Sequence, residues 1–137
     1  MSFPIEVSCP CGQVHYRLLK APKKVMACHC KACQALSSAP FSVTAIVARE
    51  DVQFSGDMAS TQRVAESGNV NQGYFCTGCG VRIYHWNPEQ PDIIKLKLKP
   101  SDSSVADYFT PQAHIWVGEK APWFTLPDNV PTFVKQA

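Results

Sequence analysis

A mainly β fold with little helix is what this sequence predicts, and three observations carry the prediction. Eleven prolines and seven glycines in 137 residues interrupt any long helix and suit short strands joined by tight turns. Apolar and polar residues alternate over short runs, the period of a strand with one buried face. Seven cysteines fall in three groups. Cys9-Pro10-Cys11-Gly12 and Cys76-Thr77-Gly78-Cys79-Gly80 lie on turns, and Cys28-His29-Cys30-Lys31-Ala32-Cys33 lies between them, so metal could staple the strands together. One domain spanning residues 1–137 is expected at this length, with burial of roughly two-thirds of the unfolded surface.

Ile5-Glu6-Val7 and Val14-His15-Tyr16-Arg17-Leu18 read as strands flanking the first cysteine turn, with Pro10 and Gly12 as its punctuation. Ala21 to Ala27 reads as a turn entering a short strand that delivers Cys28 to Cys33. Lys31 to Leu36 is the best helix candidate, rich in helix formers and free of Gly and Pro until Pro40. Phe41 to Val47 is a strand, broken by Glu50-Asp51 and resumed from Val52 to Ser55 before Gly56. Residues 57–73 are small and polar. Gly68-Asn69 and Gly73 read as turns there, and Arg63 to Glu66 as a short strand. Tyr74 to His85 repeats the first design of strand, cysteine turn and strand. Ile93 to Leu98 alternates as a half-buried strand stopped by Pro100, with Lys95, Lys97 and Lys99 as its solvated side. Pro111 to Val117 and Ala121 to Phe124 read as extended segments in which Trp116 and Trp123 anchor the core or its rim.

The formal charge of +2, from 13 basic and 11 acidic residues, treats every cysteine as neutral. A four-thiolate and a three-thiolate zinc site would together lower it by three units, so no electrostatic case for nucleic acid exists. Met1 to Glu6 has neither the basic nor the apolar region of a signal peptide. No apolar run approaches the ~18 residues of a membrane span. A cytoplasmic location is therefore expected. Thiols stay reduced there, and an odd number of cysteines fits disulfides poorly.

Zinc holds four thiolates at about 2.3 Å, which places neighbouring sulfurs ~3.8 Å apart. Two residues of flat strand advance ~6.6 Å, so a turn must pinch each pair together. Pro10, Gly12, Gly78 and Gly80 supply such turns, and Cys9, Cys11, Cys76 and Cys79 make a closed structural zinc set. Cys28, Cys30 and Cys33 remain. Three ligands and a vacancy are the usual arrangement of a zinc that does chemistry. The vacancy could take water or a substrate thiol, or be closed by His85 or His114, while His29 points away from its converging neighbours. Two zinc ions per chain follow. An open zinc with three thiolates can hold a thiol as its thiolate and polarise an aldehyde oxygen, which describes making or breaking a thiol–aldehyde adduct. Two alternatives stay open: a non-catalytic zinc module for protein binding or metal handling, and a redox sensor pairing Cys30 with Cys33. Lys23, Lys24 and Lys31 read as a solvated face that could meet an anionic substrate.

At these residues the chain resembles the glutathione-dependent formaldehyde-activating enzyme family, also called GFA or centromere-protein-V-like. The match runs through Cys9-Pro10-Cys11-Gly12-Gln13-Val14, Cys28-His29-Cys30-Lys31-Ala32-Cys33, Ala39-Pro40-Phe41 and Phe75-Cys76-Thr77-Gly78-Cys79-Gly80. It ends with Pro111-Gln112-Ala113-His114-Ile115-Trp116 and Ala121-Pro122-Trp123. The resemblance implies a β-tent of folded antiparallel sheets and a structural zinc on Cys9, Cys11, Cys76 and Cys79. It also implies a second zinc on Cys28, Cys30 and Cys33, and carbon–sulfur lyase activity. The family's founding reaction joins glutathione and formaldehyde into S-hydroxymethylglutathione. Gln34 and Ser38 stand where the family commonly has a basic residue and a glycine.

Overall fold

The computed structural model describes residues 3–137. Its elements, in chain order, are β1 (Ile5–Ser8), β2 (His15–Leu18), β3 (Lys24–Cys28), α1 (Lys31–Ser37), β4 (Ser42–Ala48), β5 (Val52–Ser55), β6 (Met58–Val64), β7 (Val70–Cys76), β8 (Arg82–Trp86), β9 (Ile93–Leu96) and β10 (Ala113–Ile115), with short 3₁₀ turns between some of them. Strands β1, β2 and β5 form a small antiparallel sheet. The other seven form a large one in the order β10-β3-β4-β9-β8-β7-β6. Among the described strands the β10–β3 pairing alone is parallel, and a single parallel bridge joins His114 to Thr132. Among the described residues no helix is long and apolar enough to cross a membrane.

The alternation that predicts the strands also decides how the sheets meet. Ile5, Val7, Tyr16, Leu18 and Val52 from the small sheet pack on Val25, Ala45, Val47, Ile94 and Leu96 from the large one. Burial of the Ile, Val and Leu side chains among these, worth about 1.5–3 kcal/mol each, is what joins the layers. The buried Tyr16 hydroxyl donates to the Leu98 carbonyl at 2.7 Å, so its polar atom is satisfied. A smaller cluster of Val14 and Ile83 packs beside Cys9 and Cys76.

The other face of the large sheet carries the chemistry. Strand register runs Lys24, Ile46, Lys95, His85, Gly73 and Thr61 across six strands. Lys95 and Lys97 are therefore not a solvated side. They are half-buried, because the face opposite Ile94 and Leu96 is folded over a cavity rather than open to water.

Three further expectations are corrected. The polar stretch after Gly56, expected to be a strand only over Arg63 to Glu66, is a full seven-residue strand, β6, that ends at Val64 and pairs with β7 from Met58↔Cys76 to Val64↔Val70. It lies at the sheet edge, so neither of its faces needs an apolar row. Gly73 is not a turn but a buried residue within β7. A Cβ there would overlap the Arg82 guanidinium and lie 3.2 Å from His85 Nε2, so the glycine lets these two side chains cross the strand. Trp123 is 73% exposed and anchors no core, whereas Trp116 is half-buried.

Candidate metal centres

Two copies of one backbone turn build the first cluster. Cys9 N donates to Val14 O at 3.0 Å and Gly12 N to Cys9 O at 2.9 Å. Cys76 N donates to Val81 O at 3.0 Å and Gly80 N to Cys76 O at 2.8 Å. Each turn closes on a glycine in the left-handed region, Gly12 at φ 80° and Gly80 at φ 78°, where a side chain is disfavoured. The Gln13 amide ties the turns together, donating to Thr77 Oγ1 at 2.6 Å and to the Asp57 carbonyl at 3.1 Å.

The sulfur atoms of Cys9, Cys11, Cys76 and Cys79 all lie within 4.8 Å of one another. Cys9–Cys11 and Cys11–Cys76 are 3.6 Å apart and Cys9–Cys76 3.8 Å. These separations match the ~3.8 Å edge of a zinc–sulfur tetrahedron and are far longer than the ~2.05 Å of a disulfide. Backbone N–H groups of Val14, Gly78 and Cys79 donate to Cys9 and Cys76 sulfurs at 3.3–3.4 Å, which favours the thiolate form. The Val14 N–H is the main cause that holds the Cys9 thiol down at about 6. The donor set fits zinc.

The second cluster is assembled by a strand end and a helix start. Cys28 is the last residue of β3, Cys30 is the N-cap of α1 and Cys33 lies in its first turn. The Cys30 sulfur accepts from the Cys33 N–H at 3.3 Å, doing the work of a capping side chain. The three sulfurs lie within 4.8 Å of one another. Cys33 is held well below the usual thiol range by its sulfur neighbours Cys28 and Cys30, with Lys97 and Ser42 adding to the effect. Cys28 is pushed far up by Cys30 and Cys33. The helix ends at Ser38 with φ 52°, a left-handed residue where glycine is commonest.

The histidines divide as follows. His29 does turn away from the trio: it is fully buried, its Nε2 lies 2.7 Å from His114 Nδ1, and its ring packs against Phe41 and Phe124. His114 is thereby committed to His29. His85 reaches the cavity beside the trio, but its Nε2 accepts from Arg82 Nη1 at 3.0 Å. Burial, then Lys97 and Arg82, push its pKa down to about 3, so it is neutral at ordinary pH. Among the described residues neither histidine belongs to a group whose ligand atoms converge with the three sulfurs.

The trio opens into a cavity of about 470 Å³ that is also lined by Lys24, Arg63, His85, Lys95, Lys97 and Trp116. Lys97 Nζ donates to Thr44 Oγ1 at 2.6 Å and Ser42 Oγ at 3.2 Å. Arg63, Lys95 and Lys97 were not legible as site residues. The period-2 spacing places Lys95 and Lys97 on one side of β9, but not what that side covers. Lys23 and Lys31 do not line the cavity, and Lys24 does.

The family model for the glutathione-dependent formaldehyde-activating enzyme matches residues 4–119. The fold is similar to the crystal structure of a structural-genomics target from Rhodobacter sphaeroides, with a TM-score of 0.53 at 16% identity, covering 94% of this chain and 99% of that one. The matched span takes in both cysteine clusters and most of the strands that shape the cavity, and on that match the chain belongs to the glutathione-dependent formaldehyde-activating enzyme family.

Proposed function

We propose that this chain, as a single domain over residues 1–137, is a zinc-dependent carbon–sulfur lyase-type enzyme. It would make or break a small thiol–aldehyde adduct of the S-hydroxymethylglutathione kind in the cytoplasm. In this reading Cys9, Cys11, Cys76 and Cys79 hold a structural zinc, and Cys28, Cys30 and Cys33 hold the working one. The observation that carries the reading is the trio itself: three converging sulfurs at the wall of a cavity large enough for a small thiol.

A zinc bound by the trio supplies a Lewis acid with room for a substrate thiol. The overall change is balanced. Addition of R–SH to an aldehyde forms one carbon–sulfur bond, breaks the carbonyl π bond and moves the thiol proton to oxygen; the lyase direction reverses each step. The chain's own groups serve this in distinct ways. The Cys33 N–H and the start of α1 fix the Cys30 sulfur. Lys97, locked between Ser42 and Thr44, places positive charge beside the thiolates. Neutral His85 keeps a ring nitrogen bonded to Arg82 and adds no charge to the cavity wall.

The test is nuclear magnetic resonance of a panel of small thiols mixed with formaldehyde, with and without zinc-loaded protein. Faster exchange between free aldehyde and adduct, lost in Cys30→Ser, is the expected result. Unchanged exchange across the panel would sink the enzymatic reading and leave a zinc module without catalysis.

A further inference from the structure

Four cations line the cavity, and they are not equivalent. Lys97 is fixed by Ser42 and Thr44. Lys24 is exposed at the first residue of β3. Lys95, from the middle of the large sheet, and Arg63, from its edge strand β6, converge on the cavity without a protein partner. Among the described residues no hydrogen bond or ion pair engages the Lys95 ammonium or the Arg63 guanidinium.

Both cavity-lining carboxylates are committed elsewhere. Glu66 pairs with Lys135 at 2.8 Å, and Glu119 Oε1 accepts from the Lys31 N–H at 2.8 Å. Helix α1 brings no cation into the cavity either. Its Gln34 amide is spent on the carbonyls of His29, at 2.7 Å, and Glu119, at 2.9 Å.

Lys95 is thus half-buried and Arg63 exposed at the wall of one cavity, and among the described residues no carboxylate pairs with either of them. Burial lowers the Lys95 pKa and Arg63 lowers it further, while the thiols of Cys28 and Cys33 act the other way. Burial and then Arg63 also lower Arg82. A half-buried ammonium without a partner is unfavourable until an anion joins it. A guanidinium and an ammonium lining one cavity suit a carboxylate, which can accept from the guanidinium fork through both oxygens.

We propose that Arg63 and Lys95 are the specificity-determining residues of this site, receiving the carboxylate of a thiol whose sulfur reaches Cys28, Cys30 and Cys33. The proposal rests on the reading of the trio as the working site and adds a selection rule to it: a carboxylate anywhere within reach on a small thiol suffices. Glutathione is then one member of the accepted class rather than its definition.

The experiment compares three thiols of similar size on the zinc-loaded full chain: 3-mercaptopropionate, 2-mercaptoethanol and cysteamine. Their binding is followed by titration calorimetry, and their adduct exchange with formaldehyde by nuclear magnetic resonance. The anionic thiol is expected to bind about tenfold or more tighter than the neutral one, and the cationic thiol to bind most weakly. Arg63→Met, on an exposed edge position, and Lys95→Met should each reduce that preference. Together they should erase it, read as the ratio of 3-mercaptopropionate to 2-mercaptoethanol binding in the same variant. Lys95→Glu should shift the preference toward cysteamine.

Equal affinity for all three thiols in the unaltered protein overturns the proposal while leaving the trio's role intact, and so does a preference that survives the double change. Failure of every thiol to bind overturns both readings. If Lys95→Met does not fold, Arg63→Met alone decides, because its loss of preference is read against 2-mercaptoethanol in the same protein.

Discussion

The two cysteine clusters share their ligand atom and differ in nearly everything around it. In the four-cysteine cluster the backbone supplies the surroundings: paired glycine turns, N–H groups aimed at sulfur, and Gln13 bridging the turns. Cys11 and Cys79 face solvent. In the three-cysteine cluster the Cys33 N–H reaches the Cys30 sulfur, and balancing charge comes from Lys97 on the cavity wall. A backbone turn saturates its ligands and closes the site. Side chains on separate strands leave space for another molecule. On the proposed reading, the contrast separates a site that holds the chain from one that holds another molecule.

The largest expected effect comes from removing one ligand on each side. Metal binding at a structural site is inseparable from folding, with apparent energies of about 10–16 kcal/mol in small zinc domains, against a typical net stability of about 5–15 kcal/mol. Cys76→Ser, at a fully buried position, is expected to abolish the cooperative fold. Cys30→Ser should leave it, because serine is itself a favoured N-cap and helix α1 keeps its start. Elemental analysis and circular dichroism read the difference: two zinc per chain in the unaltered protein, one in a folded Cys30→Ser, and no native spectrum in Cys76→Ser. Equal damage from both changes would dissolve the distinction between the clusters.

A smaller change sharpens the same contrast through the backbone. Gly56, between β5 and β6, has φ 101°, and a Cβ there would run into the Gln13 carbonyl. Gln13 belongs to the first cysteine turn. Gly56→Ala combines a strained φ with a collision against rigid backbone, expected to cost about 3 kcal/mol. Its zinc should leave the four-cysteine cluster first when a chelator is titrated, with the trio's metal retained. Urea denaturation gives the stability loss, and a midpoint unchanged from the unaltered protein would show that the turn tolerates displacement.

The elements that were legible in the sequence are the ones whose cause is local. Cys9 to Gly12 and Cys76 to Gly80 announce their turns because glycine and the cysteine pinch fall within a few residues. Helix α1 announces itself through its composition. Strand β6 does not, because an edge strand with a solvent side and a cavity side carries no apolar alternation. Gly73 resembles a turn for the same reason: what demands it is the crossing of Arg82 and His85, side chains from the next strand. Lys95 and Lys97 are read correctly as sharing one side and wrongly as solvated. The cover over that side comes from Arg63, Trp116 and the trio, all distant along the chain. Ligand sets spaced by turns are thus visible in one dimension, whereas a cavity formed by register across six strands is not.

Acid offers the gentlest way to part the two regions. His29, His85 and His114 are buried around the trio, while the remaining histidine, His15, is exposed and bonded to Ser8. Burial is the first cause that lowers all three buried histidines, with His114 and Lys120 adding to the effect on His29. A histidine lowered in the folded state binds fewer protons there than in the unfolded chain. Its stability contribution is complete above the unfolded value of about 6.5 and is lost as pH falls from there toward the folded value. Lowering the pH from about 7.5 to about 5.5 should therefore reduce the urea midpoint. Hydrogen exchange should quicken in β3 and β10, behind the trio, before it quickens in β1 and β7. His114→Gln keeps a hydrogen-bonding side chain beside His29 and removes one titrating group, so its midpoint should depend less steeply on pH. Earlier opening at the glycine turns of the four-cysteine cluster would reverse the assignment. It would mean that the backbone-built site, rather than the layer of buried histidines, is where this fold first yields to protons.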